Sequence, residues 1–126
     1  PPRSTLFPYT TLFRSVKSFI DDTAAPQLTG HAAFHARVAS NALATVLRDL
    51  EQRPGAEASE RQGLIDLLEA SDDQSTAELN RALSERIQAG EITIATPGLL
   101  SHLKQTAMAQ VEIDQPRYSG LKTAKR

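Results

Sequence analysis

The densest group of side chains capable of chemistry lies in and just before the run FHARVASN, where His31, His35, Arg37 and Asn41 sit close together. His31 and His35 are four residues apart, a spacing at which two imidazoles on one helix face can bind a common metal ion. Zinc would still require at least one further protein ligand. The chain has no H-E-x-x-H pattern, and nothing in the sequence brings His102 near the pair, so no metal site is expected. Arg37 and Asn41 are also four apart and can meet on one face. The guanidinium of Arg37 is a planar two-pronged donor suited to a carboxylate or phosphate. One reading makes His35, Arg37 and Asn41 a small polar pocket for a carboxylate, a phosphate or a backbone segment. The ordinary reading is a hydrogen-bonded histidine beside a solvent-facing Arg-Asn pair that orients a neighbouring element.

Other chemistries lack their residues. Ser40, Ser75 and Ser101 stand in no nucleophile elbow or triad pattern, and there is no phosphate-cradling glycine loop. Thr96-Pro97-Gly98 would offer free amides at a helix start, but an ordinary cap accounts for it. Asp66 with Glu69, or Asp72 with Asp73, reads as exposed acidic turns rather than as an acid-base pair. The absence of cysteine removes disulfides, thiolate metal sites and thiol nucleophiles, and fits a reducing cytoplasm. No catalytic residue and no cofactor is expected.

A chain of 126 residues, 40% hydrophobic and 23% charged, is the size and composition of one globular domain. No apolar run approaches the roughly 18 to 20 residues of a membrane span. With 14 basic and 15 acidic residues the formal charge is −1, so no whole-molecule field favours nucleic acid or anionic lipid. The basic residues Arg117, Lys122, Lys125 and Arg126 form a short tail for docking or solubility.

Hydrophobic periodicity points to an all-α bundle of about five helical segments around a long central helix. Val16–Ala24 reads as the end of a first helix, and Pro26 to Gly30 as the junction after it. The central helix spans His31 to about Arg53. Ala39, Leu43, Val46 and Leu50 form its core face, with a second apolar row, Phe34, Val38, Ala42 and Val46, beside it. Pro54-Gly55 is expected to end this helix, and a third runs from Glu57 to Ala70 with Leu64, Ile65, Leu67 and Leu68 inward. Ser75 to Glu78 is a capping box opening a fourth helix with Leu79, Leu83 and Ile87 on one face, and Gly90 is placed to close it. Glu91–Ala95 reads as an extended connector. Thr96 and Pro97 then start a fifth helix whose face is Leu100, Leu103, Ala107 and Val111. Beyond Tyr118 a mobile basic tail, 119–126, is expected.

The first fifteen residues, PPRSTLFPYTTLFRS, stand apart. They lack helical periodicity and acidic residues, and they hold three of the chain's six aromatics. Over its full length the run resembles the translated sequence of a short-read sequencing adapter. It is set aside as a disordered artefact, which leaves 12 basic and 15 acidic groups, and the first helix is expected to be truncated.

FHARVASNALATVLRDLE, the pattern L-x-x-x-L-x-x-x-I-x-x-G-E-I over 79–92 and the closing D-Q-P-R-Y of Asp114 to Tyr118 together resemble a bacterial helical domain-of-unknown-function family of the DUF6285 type, over roughly Val16 to Tyr118. Its members are similar to small proteins often encoded beside phosphotransferase-like kinases and acyl-CoA dehydrogenases. The resemblance implies no catalytic residues. It implies that His35, Arg37, Asn41, Pro116 and Arg117 are the candidate ligand or partner contacts. It also implies an accessory or regulatory role with a kinase or dehydrogenase as protein partner. The wide apolar face of the central helix, left uncovered by an incomplete first helix, suits a protein partner or a second copy and favours a noncatalytic role. The alternative is a small-molecule-binding or enzymatic domain built on the polar cluster around His35.

Overall fold

The computed structural model describes residues 2–126, with side chains from Tyr9 onward, and every regular element among them is helical. The helices are α1 (Pro2–Phe19), α2 (Gly30–Leu68), α3 (Thr76–Gln88), α4 (Leu99–Asp114) and α5 (Ser119–Ala124). The all-α architecture around a long central helix is therefore as expected. The chain divides into two compact units, one ending at Arg53 and the other spanning Pro54–Arg126.

In the first unit α1 leads through a π-helical turn, Ile20–Ala24, and a 3-10 turn, Ala25–Gln27, into the first part of α2. Helix extends from Pro2, where an unstructured run over residues 1–15 was expected. Helicity is a statement about conformation and leaves the adapter resemblance of that run untouched. Polar contacts tie α2 to the π-helical turn and to α1: the hydroxyl of Ser40 donates to Asp21 Oδ1 at 2.5 Å, and Arg14 pairs with Glu51. Ser40 and Leu47 are buried, while Ala39 and Val46 from the expected core face lie exposed. The inward face is thus rotated from the most apolar row because a serine that can donate to Asp21 occupies it. An apolar count cannot register that preference.

In the second unit α2 continues through Pro54 and Gly55 instead of ending there. Proline removes one backbone donor and crowds the preceding turn, but a long helix can carry it. Helix α2 stops at Leu68, where Glu69 adopts a left-handed conformation (φ 54°) and the Ala70 amide donates to the Ile65 carbonyl at 3.0 Å. This is a Schellman-type ending with glutamate at the position glycine usually occupies. Arg61 donates to the carbonyls of Asp72 and Gln74, and Arg86 Nη1 donates to the terminal carbonyl of Leu68 at 3.4 Å, so two arginines hold the turn into α3.

Helix α3 begins as its capping box predicts, with Ser75 Oγ accepting from the Glu78 amide at 3.1 Å. It ends on Gly90 (φ 77°), with the Glu91 amide donating to the Arg86 carbonyl at 2.9 Å. Leu79 and Leu83 are buried as expected, but Ile87 is exposed. They join Leu64, Leu68, Ile92 and Leu99 in one core cluster. Each such side chain contributes about 1.5–3 kcal/mol by leaving water. Glu91–Ala95 forms no strand, in keeping with a connector, and its Ile92 is the residue that packs inward.

Three expectations near the C-terminus need correction. Helix α4 starts at Leu99 with Gly98 (φ 92°) as its N-cap, two residues later than the Thr96-Pro97 start. The Thr96 hydroxyl instead accepts from the Thr93 amide at 2.9 Å, closing the preceding turn. The expected inward row also faces outward at Leu100, Leu103 and Ala107, and only Val111 is half-buried. The residues turned inward are Leu99 and Ile113, with His102, Thr106 and Ala109 half-buried between them. Finally, residues 119–124 form α5, with Leu121 buried and Lys125 paired to Glu112 at 2.7 Å, where a mobile tail was expected.

Candidate functional site

The residues singled out in the sequence do not converge. His31, His35, Arg37 and Asn41 are all exposed on the first part of α2. The His31 and His35 rings lie 6.5 Å apart, close enough to share a face, and Phe34 meets His35 edge-on at 5.7 Å. No third histidine, cysteine or carboxylate is grouped with them among the described residues. Arg37 lies two positions beyond His35, roughly 200° around the helix, so its guanidinium shares a face with Asn41 and not with the imidazole. Pro116 and Arg117, in the turn between α4 and α5, are also exposed.

What this part of α2 does present is apolar. Phe34 is 53% exposed, Val38 49% and Val46 42%, and with Ala42 they form the second row read from the sequence. Four-residue steps keep them on a slowly drifting stripe along one side of the helix. Ser40 and Leu47 take the opposite, buried side. Beside the Ser40 contact, Asp21 is held below the ordinary carboxylate range. The hydrogen bond from Lys17 is the larger cause and that from Ser40 the next, against a smaller upward push from burial. This is a structural pairing, with Lys17 Nζ 2.6 Å from Asp21 Oδ2.

The second unit contains a concave feature that the sequence did not announce. A groove of about 310 Å³ lies between the C-terminal part of α2 and α4, lined by Glu60, Gly63 and Asp66 on one wall and Ser101, His102 and Gln105 on the other. The helices run antiparallel along it: Gly98 approaches Leu67, and His102 lies against Gly63. A Cβ on residue 63 would come within 2.5 Å of His102 Nδ1, so glycine permits the imidazole to rest on the α2 backbone. Asp66 accepts from Gln62 Nε2 at 2.8 Å. The side chains of Glu60 and His102 have no polar partner among the described residues, although both are half-buried. Asp66 was considered in the sequence as part of an exposed turn, and His102 as an isolated histidine. The only sequence signal for their meeting was a glycine inside a helix facing a histidine elsewhere, which requires the helix pairing to interpret.

These features define an all-α domain with an outward apolar stripe in one unit and a small groove of mixed polar and apolar lining in the other. Residues 26–118, about three quarters of the chain, match the family model described as Domain of unknown function (DUF6285), and the chain belongs to that family. The match begins at Pro26, later than the expected Val16, and includes the FHARV segment, the groove and the D-Q-P-R-Y motif. No curated protein and no solved structure matches the chain.

Proposed function

We propose that this domain is a non-catalytic accessory protein that binds a larger enzyme through the apolar stripe of α2. The observation that carries the reading is the half-exposure of Phe34, Val38 and Val46 in one row. Large apolar side chains scattered singly are ordinary on a surface, whereas a contiguous row bordered by polar residues is what partner-binding surfaces present. Asn41 and His35 border the stripe and supply hydrogen-bonding groups at its rim. The partner is a phosphotransferase-like kinase or an acyl-CoA dehydrogenase, the enzymes that resemblance associates with relatives of this family.

Co-expression of the chain with a phosphotransferase-like kinase and with an acyl-CoA dehydrogenase from the same genome tests the reading. The expected result is a complex with one of them that Val38→Asp abolishes while leaving the fold intact. Absence of any complex, together with unchanged activity of both enzymes, rejects it. The alternative of a ligand site at His35, Arg37 and Asn41 has less support, because those side chains are exposed and divided between faces.

A further inference from the structure

We propose that α4 is a self-association surface: its outward face packs against the same face of a second copy of this chain, with the two helices antiparallel. The seam is the row that periodicity selects and the fold leaves outside. Leu100, Leu103, Ala107, Gln110 and Asp114 follow one another at alternating steps of three and four residues, the spacing of the contact line between two packed helices. Leu100 is 57% exposed and Leu103 45%, and Ala107, Gln110 and Asp114 are exposed with them. Leu99 and Ile113 carry the buried side of the helix. The seam belongs to the Pro54–Arg126 unit and the α2 stripe to the other, so this surface does not depend on the partner proposed for that stripe.

The order of charges along the seam identifies its occupant. Lys104 stands beside the N-terminal half of the row, is exposed, and has no polar partner among the described residues. Asp114 ends the row, and its carboxylate accepts from Gln110 Nε2 at 2.6 Å, which leaves lone pairs for a cation. The face is thus basic towards one end and acidic at the other, complementary to itself when reversed. Turned end for end about Ala107, a second copy places its Asp114 about 6 Å along the axis from the point opposite Lys104, the interval that i,i+4 ion pairs span. Leu103 then meets Val111 of the second copy, and the two Ala107 residues meet at the crossing, where their short side chains let the axes approach to about 8 Å. A parallel copy would instead set Lys104 against Lys104 and Asp114 against Asp114. A single 16-residue helix buries less than the roughly 1,200 Å² of a stable complex, so the dimer is weak and reversible.

Sedimentation equilibrium of the full chain from about 10 μM to about 1 mM, at low ionic strength, tests the proposal, and a monomer–dimer equilibrium with a Kd of about 0.1 mM is expected. Leu103→Asp should remain monomeric throughout, with far-ultraviolet circular dichroism matching the parent because Leu103 lies outside the core. Lys104→Glu and Asp114→Lys should each weaken the dimer about fivefold or more, and the double reversal should restore the parent Kd. Orientation is read by cross-linking, since the chain has no cysteine of its own. Ala107→Cys should join its counterpart on oxidation, whereas Leu100→Cys, held about 21 Å from its counterpart in the antiparallel pair, should not. The proposal is overturned if the chain stays monomeric over the whole range, if folded Leu103→Asp dimerises as the parent does, or if the double charge reversal fails to restore association. It is equally overturned if Leu100→Cys cross-links as readily as Ala107→Cys, or if Val38→Asp rather than Leu103→Asp removes the dimer.

Discussion

Replacing Gly63 by alanine separates two effects that the structure sets against each other. In a helix interior alanine is more favourable than glycine by about 0.5–1 kcal/mol. Against this, the new Cβ would lie 2.5 Å from His102 Nδ1 and 3.1 Å from its Cε1, so the imidazole has to leave its seat on α2. Forcing a side chain off its rotamer costs about 0.5–1.5 kcal/mol, and the ring also loses its contact with the helix. The two contributions nearly cancel, and Gly63→Ala should leave stability within about 0.5 kcal/mol of the parent. In a His102→Ala background the obstruction is gone, and the same substitution should stabilise by the full 0.5–1 kcal/mol or about that. The coupling from a double-mutant cycle in urea is therefore expected to be about 1 kcal/mol. If Gly63→Ala stabilises both backgrounds equally, the seating of His102 on Gly63 is wrong, and the floor of the groove with it.

Other substitutions test the elements individually. Leu64 is fully buried at the centre of the core cluster, and Leu64→Ala should cost about 2–5 kcal/mol in chemical denaturation. Ser75→Ala removes the acceptor for the Glu78 amide and should cost about 1 kcal/mol, with Ser75→Asp restoring most of it. Glu69→Gly relieves a left-handed glutamate and should raise the unfolding midpoint by about 1 kcal/mol of stability; a loss instead would show that the Glu69 side chain makes a contact outweighing the strain. For Asp21, the native pKa lies below its unfolded value of 3.8, so its contribution is full above that value and disappears as the pH falls through the native one. Asp21→Asn should accordingly flatten the acid limb of a stability-against-pH curve in that range and leave the neutral-to-alkaline slope unchanged.

Much of the helical framework was legible because it depends on neighbours in sequence. The Ser75 capping box, the Gly90 ending and the Leu64, Leu68, Leu79 and Leu83 rows require only residues within one or two turns. The Leu68 ending was less visible, because the left-handed position is filled by Glu69 and its cost is offset by the hydrogen bond to Ile65 and the arginine contacts around it. Pro54 misled for a related reason. A proline reads as a stop, yet the lost hydrogen bond is small beside the continuous packing available to a long helix.

The candidate sites divide along the same line. The residue types and spacings alone established the helical class, the lack of any cysteine, and the apolar row of Phe34, Val38, Ala42 and Val46. Only tertiary structure decided which side of each helix turns inward. Ser40 displaces apolar neighbours from the buried face by bonding Asp21, and Leu100 and Leu103 turn outward while Leu99 and Ile113 turn in. The pairing of α2 with α4 also brought His102 to Gly63, Glu60 and Asp66, residues some forty positions away in the chain. Periodicity can establish that a helix has two faces, but the choice between them rests on contacts between distant segments, which no local spacing records.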